Sequence, residues 1–274
     1  MFPRRWAPYI AAILLTIFII GWSRSGSSVT EVTWTPNACE VSPRTPLRIV
    51  AMGDSIAEGF GSSDNNGYRM VLYEHLKTDC GRRKVEFVGS QKTGTAPVTD
   101  HEGYSSSDIE SVLSLCAGEN MTSTLAKNPN VILLHVGTDN MSPLRSPDIV
   151  GPEDAPAKLG DLVDYIFSIA PNVVLVVAQI IWSPNFVWFE NIDVYNAAIA
   201  RMVRRKAEQG RKILTVDLSP IGEKGCIRNI DGTWQECADL NDDGFHPKDE
   251  GYRKVAGYWY EALFEATHKG WFKR

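Results

Sequence analysis

Two hydrophobic patterns alternate along this chain. Over residues 47–52, 85–88, 131–136, 173–178 and 213–216 the apolar residues are continuous, short and rich in β-branched side chains. A strand with one wet face would alternate apolar and polar positions. Continuous runs of this length suit strands covered on both faces, as in a parallel sheet. Between the runs the apolar positions recur at helical spacing. Residues 68–80 place Met70, Leu72, Tyr73 and Leu76 on one side, and 157–170 place Leu159, Leu162, Val163, Ile166 and Ile169 on one stripe. Residues 188–209 carry Ile192, Tyr195, Ile199, Met202 and Val203 before a basic stretch and Gly210, a helix stop. A last helix is predicted over about 248–267. Strand alternating with helix predicts an α/β fold, a three-layer sandwich with a doubly wound, mostly parallel five-stranded sheet. Such sheets bind ligands beyond the C-terminal ends of their strands, so the residues just past each run are the first candidates for chemistry.

The N-terminus follows neither pattern. Arg4 and Arg5 precede an uncharged, largely apolar run over 7–22, and Ser23-Arg24-Ser25-Gly26-Ser27-Ser28 follows it. Residues 1–23 therefore read as a secretory signal peptide or a type II signal anchor. The run is short of the roughly 20 residues of a full span, and Gly21-Trp22-Ser23 offers a small-x-small exit. Positive charge on its N-terminal side predicts the remainder on the non-cytosolic side, secreted or membrane-anchored through residues 7–22. Residues 24–46, rich in Ser, Thr and Pro, read as a linker, and the domain as 47–274.

Composition narrows the class. The 274 residues suffice for one sizeable α/β domain, with 43% hydrophobic and 22% charged residues as in ordinary globular chains. A net charge of -5 without a basic patch argues against a nucleic-acid partner. The five cysteines, Cys39, Cys80, Cys116, Cys226 and Cys237, suit an export address, and their odd number leaves one without a partner in the chain. Cys226 and Cys237 bracket Asp231-Gly232 and are the expected pair, with Cys39–Cys80 as a second. No C-x-x-C is present, so neither a zinc nor a redox motif is supported, and no metal or other cofactor is expected. Asn120-Met121-Thr122 and Asn140-Met141-Ser142 are glycosylation sequons.

Two short motifs carry the chemistry. Gly53-Asp54-Ser55 stands directly after the first apolar run, and Asp243-Gly244-Phe245-His246-Pro247 stands before the last helix. A serine needs a base to become a nucleophile, and the base needs a carboxylate to orient it. Ser55, His246 and Asp243 supply the three. A calcium pattern competes for the same residues: Asp239, Asn241, Asp243 and Gly244, with Glu250 twelfth, satisfy an EF-hand loop. The segment before Asp239 reads as a turn rather than an entering helix, and Pro247 stands ninth, so the hydrolytic reading is preferred.

The combined layout resembles the SGNH (GDSL) hydrolases. Gly53-Asp54-Ser55-Ile56-Ala57-Glu58-Gly59 resembles their first block and Asp243-Gly244-Phe245-His246-Pro247 their last. Between them, Val88-Gly89-Ser90-Gln91, His101-Glu102-Gly103-Tyr104-Ser105 and Leu133-Leu134-His135-Val136-Gly137-Thr138 also match. The wording is most similar to the carbohydrate esterase family that includes acetyl xylan esterases, over about residues 47–266. The resemblance implies a metal-independent ester hydrolase acting on acylated carbohydrate. Ser55 would form an acyl-enzyme, His246 would serve as base and then acid, and Asp243 would orient it. The oxyanion would be held by the backbone N–H of Ser55, a backbone N–H of the second block and an Asn side chain of the third. Two other readings stay open, a lipid or other small acyl ester as substrate, and a weakly active or inactive carbohydrate-binding protein on this fold.

The chain departs from the family pattern twice. Ser105-Ser106 replaces Ser-Gly, which keeps a backbone donor at Ser106 if the turn holds. Gly137-Thr138-Asp139-Asn140 replaces Gly-x-Asn-Asp, which puts Asp139 where the oxyanion Asn is expected. One oxyanion donor is worth about 3–4 kcal/mol. Asp139 could donate as the protonated acid, Asn140 could supply the amide after a loop shift, or hydrolysis could be weakened with the ligand pocket kept. Gly103, Trp182 and Trp188 are the expected substrate-binding residues. Trp182 and Trp188, with Phe186 and Phe189, could offer aromatic faces to sugar rings.

Overall fold

A computed structural model describes residues 45–272 apart from 79–83, 143–144, 185, 224–225 and 229–233, and leaves out the side chains of 186–189, 223, 227–228 and 234–236. The apolar run 7–22, the linker up to residue 44 and the Cys39–Cys80 pair lie outside the described residues. All described residues belong to one unit, Thr35–Arg274.

In chain order the elements are β1 (Leu47–Gly53), α1 (Ser55–Glu58), α2 (Arg69–Thr78), β2 (Val85–Phe87), β3 (Gln91–Lys92), β4 (Asp100–Gly103), α3 (Ile109–Cys116), α4 (Glu119–Leu125), β5 (Val131–His135), α5 (Thr138–Met141), α6 (Ala155–Ile169), β6 (Val174–Gln179), α7 (Phe186–Glu208), β7 (Ile213–Asp217), α8 (Pro220–Glu223), β8 (Cys226–Arg228), β9 (Trp234–Cys237) and α9 (Asp249–His268). The five apolar runs form β2, β1, β5, β6 and β7, and neighbours in that order pair in parallel. The sheet has seven strands rather than five. β3 and β4 add an antiparallel pair, and β4 joins β1 beyond β2, with Met52 opposite Glu102 and Gly53 opposite Gly103. Both extra strands are short and largely polar, so no hydrophobic run announces them.

Continuous apolar strands arise here because each face of the sheet has its own core. Leu47, Ile49 and Ala51 of β1, with Val131 and Leu133 of β5, pack with Leu72 and Leu76 of α2 and Tyr252, Val255 and Trp259 of α9. Val50 and Met52, with Ile132 and Leu134, pack instead with Val112 of α3, Leu159, Leu162 and Ile166 of α6, and Ile199 of α7. Alternate residues of one strand thus serve opposite cores, which gives the three layers. Cys226 and Cys237 are joined by a disulfide across the β8–β9 ribbon. Cys116 is a buried free thiol.

One cation organises the edge of the sheet that follows β1. The Arg69 side chain is fully buried and donates to the carbonyls of Ala57, Glu58, Asn65, Thr93 and Val98 and to the Thr93 hydroxyl. A planar guanidinium with five N–H donors can span acceptors from three separate segments, which a lysine ammonium cannot. The last turn of α1 is thereby tied to the loop before β4. Arg69→Ala is expected to lower the unfolding free energy by about 3 kcal/mol or more, because hydrogen bonds from a charged donor are lost and buried carbonyls are stranded. Arg69→Lys should recover less than half of that in urea denaturation. Full recovery by lysine would show that charge alone matters there.

Candidate active site

The site begins where β1 ends. Gly53 has φ +142°, and a Cβ there would lie 1.7 Å from the His135 carbonyl oxygen of β5. Only glycine passes that close, and the chain then turns. Asp54 caps the next helix: its Oδ1 accepts the Ile56 N–H at 3.0 Å, so α1 starts with Ser55 just past the strand end. Asp54 is buried, and the same oxygen lies 3.3 Å from His135 Nδ1.

The loop from Asp239 to Lys248 brings the base. Leu240 and Pro247 form an antiparallel bridge, and the Asn241 and Lys248 N–H groups donate to the carbonyls of His246 and Asp239, both at 2.8 Å. Asp243 accepts the backbone N–H groups of Phe245 and His246 on Oδ1, each at 3.0 Å. Its Oδ2 lies 2.8 Å from His246 Nδ1, and His246 Nε2 lies 2.8 Å from Ser55 Oγ. Burial pushes the Asp243 carboxyl up, but the hydrogen bonds from the His246 side chain and from the two N–H groups outweigh it and hold it below the usual carboxylate value. An ionised Asp243 fixes the tautomer with the proton on Nδ1, which leaves the Nε2 lone pair facing the serine.

The two motifs meet across a close approach. A Cβ on Gly61 would lie 2.6 Å from Asn241 Nδ2 and 3.2 Å from His246 Cβ. Asn241 Nδ2 donates to the carbonyls of Gly61, His246 and Pro247, while Ser63 donates its N–H and hydroxyl to Asp249 of α9. The calcium reading does not survive this arrangement. Asp239 is paired with Lys254, with both carboxylate oxygens 2.7 Å from Nζ, Asn241 is engaged with backbone, and Asp243 faces His246. No cluster of three or more metal-ligating side chains occurs among the described residues.

The second block lies against α1. Tyr104 N–H donates to the Gly53 carbonyl at 3.0 Å, and Ser105 donates its N–H and hydroxyl to Glu58 Oε2. Ser106 holds φ +58°, so this serine keeps the left-handed turn that a glycine would adopt more easily. Gly103 is a packing glycine: a Cβ would come within 2.2 Å of the Glu58 nitrogen. It also borders a cleft of about 280 Å³ with Glu58, Tyr104 and Ser105. His101 ties this region together through Thr93 Oγ1 and the Gly103 N–H. Burial and the Arg69 charge push it down to about 4, so it is neutral. Trp182 is partly buried after β6, where its carbonyl packs against Gly222. Trp188 lies in α7, and its side chain is outside the described residues.

The third block divides its two polar residues. Asn140 is fully buried: its Oδ1 accepts the Ile109 N–H at 3.1 Å and its Nδ2 donates to the Val150 carbonyl at 3.0 Å. Its amide is spent on holding α3 and the loop after α5, so the expected Asn140 oxyanion donor is corrected to a structural residue. The same burial takes Asn140 out of reach as a glycosylation sequon. Asp139 is partly buried. Burial and the Asp54 carboxylate push its carboxyl up to about 6, with His246 opposing and Asp108 adding. Asp139 thus lies within electrostatic reach of both Asp54 and His246. One neighbour of the base was not foreseen. Phe60, stranded between Gly59 and Gly61, has its ring 4.6 Å from that of His246.

The model of the GDSL-like Lipase/Acylhydrolase family matches residues 51–254. The solved family 3 carbohydrate esterase of Clostridium thermocellum is 32% identical, with TM-score 0.61, over 82% of this chain and 98% of that one. A protein described as putative endoglucanase X from Acetivibrio thermocellus is 34% identical over 134 residues, 49% of this chain and 50% of its own length. A multidomain esterase of Ruminococcus flavefaciens is 24% identical over 261 residues, 86% of this chain and 31% of its own. The chain therefore spans half of one curated relative and about a third of the other.

A fluorophosphonate probe reads serine activation directly. Wild type should be labelled on Ser55, Ser55→Ala and His246→Ala should stay unlabelled, and Asp243→Asn should be labelled on the order of 10⁴-fold more slowly. Intact-mass spectrometry follows the adduct. Labelling of Ser55→Ala at the wild-type rate would remove Ser55 as the reactive group.

Proposed function

Because the chain belongs to the GDSL-like lipase/acylhydrolase family and is a carboxylic ester hydrolase, we propose that it removes acetyl groups from carbohydrate through an acyl-enzyme on Ser55. The observation that carries the mechanism is the relay of two 2.8 Å contacts from Ser55 through His246 to Asp243. The carbohydrate half of the reading is supported by the 32% likeness to a family 3 carbohydrate esterase. The acetyl half is supported by the resemblance of the five sequence blocks to acetyl xylan esterases.

In this mechanism His246 Nε2 takes the Ser55 hydroxyl proton as Oγ attacks the acyl carbonyl. The tetrahedral oxyanion forms against the backbone N–H groups of Ser55 and Ser106. His246 then returns the proton to the departing sugar oxygen, which leaves acetyl-Ser55 and a free sugar hydroxyl. Water gives a proton to His246, attacks the acyl carbon and releases acetate, and the proton returns to Ser55. Asp139 stands as the third oxyanion contact and changes sign with protonation. The neutral acid donates a hydrogen bond, and the carboxylate repels the developing charge. Export of the domain completes the proposal. The basic and apolar N-terminus and the Cys226–Cys237 disulfide both suit an oxidising, non-cytosolic compartment.

Two measurements test this reading. Across p-nitrophenyl esters, kcat/KM should be highest for acetate, and acetylated xylan should release acetate. A preference for butyrate or longer would replace the deacetylase reading with a lipid-type one. The second measurement concerns Asp139. Its raised value means that the neutral, donating form is lost as pH rises through about 6. At pH 8, Asp139→Asn should therefore exceed wild type in kcat by roughly 10²–10³-fold. That advantage should shrink steadily as pH falls from 7 to 5. A ratio that stays constant with pH would show that Asp139 does not face the oxyanion.

A further inference from the structure

Phe60 is the conspicuous unassigned side chain beside the relay. Among the described residues the exposed large hydrophobic side chains are Phe60, at 51%, and Val194, at 62%. Val194 lies on α7, whereas the Phe60 ring packs at 4.6 Å and 56° against the ring of His246. The display is built rather than incidental. The Phe60 N–H donates to the Ser55 carbonyl at 3.0 Å, and its own carbonyl accepts the hydroxyl of the buried Tyr252 at 2.6 Å. Glycines flank it with φ +101° at Gly59 and +92° at Gly61, and Gly61 passes against the histidine loop. The backbone is fixed at both ends while half of an apolar ring is left in water, although burying such a ring would be favourable.

Chemistry says which half of an ester meets this ring. His246 must return its proton to the leaving oxygen, so that oxygen comes within hydrogen-bond reach of Nε2. Whatever is bonded to that oxygen lies beside the rings packed against His246, the partly buried Phe245 at 4.3 Å and the exposed Phe60 at 4.6 Å, and of the two Phe60 is the one displayed to solvent. Phe60 therefore borders the alcohol half of the ester, not the acyl half. A pyranose offers a face of C–H groups to an aromatic ring and keeps its hydroxyls at the rim, and a ring held by its backbone loses little freedom on binding.

We propose that Phe60 is a specificity-determining residue, the platform on which the sugar ring bearing the acetyl ester lies. The proposal rests on the carbohydrate deacetylase reading above. Its test holds the acyl group constant and changes the alcohol. Hydrolysis of an acetylated xylo-oligosaccharide and of methyl acetate is measured for wild type, Phe60→Ala and Phe60→Trp. In Phe60→Ala the ratio of kcat/KM for the sugar ester to that for methyl acetate should fall on the order of tenfold, mostly through KM. Phe60→Trp should restore it, and the acyl chain-length preference should not move in either variant. Wild-type turnover of the sugar ester with an unchanged ratio in Phe60→Ala would overturn the platform and leave the deacetylase standing. Equal losses on both substrates would also overturn it, by making Phe60 a support for His246. A shifted chain-length preference would place Phe60 at the acyl group. Turnover of methyl acetate but not of the sugar ester by wild type would defeat the deacetylase reading and the platform with it.

Discussion

At position 53 the chain passes so close to the His135 carbonyl that a Cβ would sit 1.7 Å from its oxygen, and the rest of the site inherits its place from that crossing. Without the crossing, β1 could not end against β5, the Asp54 cap would not form and Ser55 would not open a helix at the sheet edge. The Gly53 carbonyl also receives the Tyr104 N–H, so the second block is hung from the same residue. A local steric limit thus sets the spacing between Ser55 and the second block, and two nearby fasteners keep it. Glu58 holds Ser105, and Arg69 holds the carbonyls at the end of α1.

The electrostatics of the site follow from burying a carboxylate directly before Ser55. Asp54 caps α1 and meets the His135 ring, and among the described residues its second oxygen has no hydrogen-bond partner. Its field raises Asp139 and contributes to the raised values of Tyr68, Tyr195 and Tyr252. A second negative charge at Asp139 is disfavoured by burial first and by Asp54 next. Asp243 is treated differently: three hydrogen bonds stabilise its ionised form. Two carboxyls of the same chemistry thus stand near one histidine with opposite tendencies, and donors in contact with the carboxylate separate them.

The sheet and the long helices were legible because both faces of the strands are covered and every helix stripe meets a core. The β3–β4 pair was not, since strands of two and four residues without an apolar side chain carry no periodic signal. The serine, base and carboxylate were legible as ordered motifs, whereas the direction of each side chain was not. Asn140 and Asp139 are neighbours in sequence, yet one is fully buried and serves the Ile109 and Val150 backbone while the other is only partly buried. Only the helical rotation of α5 separates them. Ser106 holds a glycine-like turn that its residue type does not announce. Phe60 left one usable trace, a large apolar residue isolated between two glycines and outside any stripe.

The contact between Ser55 and His246 joins residues 191 apart in the chain, with the histidine loop seated on α9. Domains of this kind fold as units, so the serine meets its base only once the fold has closed. Until the C-terminal helix docks, Ser55 is an ordinary alcohol. The pairing of this serine with its base is therefore a property of the closed fold and not of either segment alone.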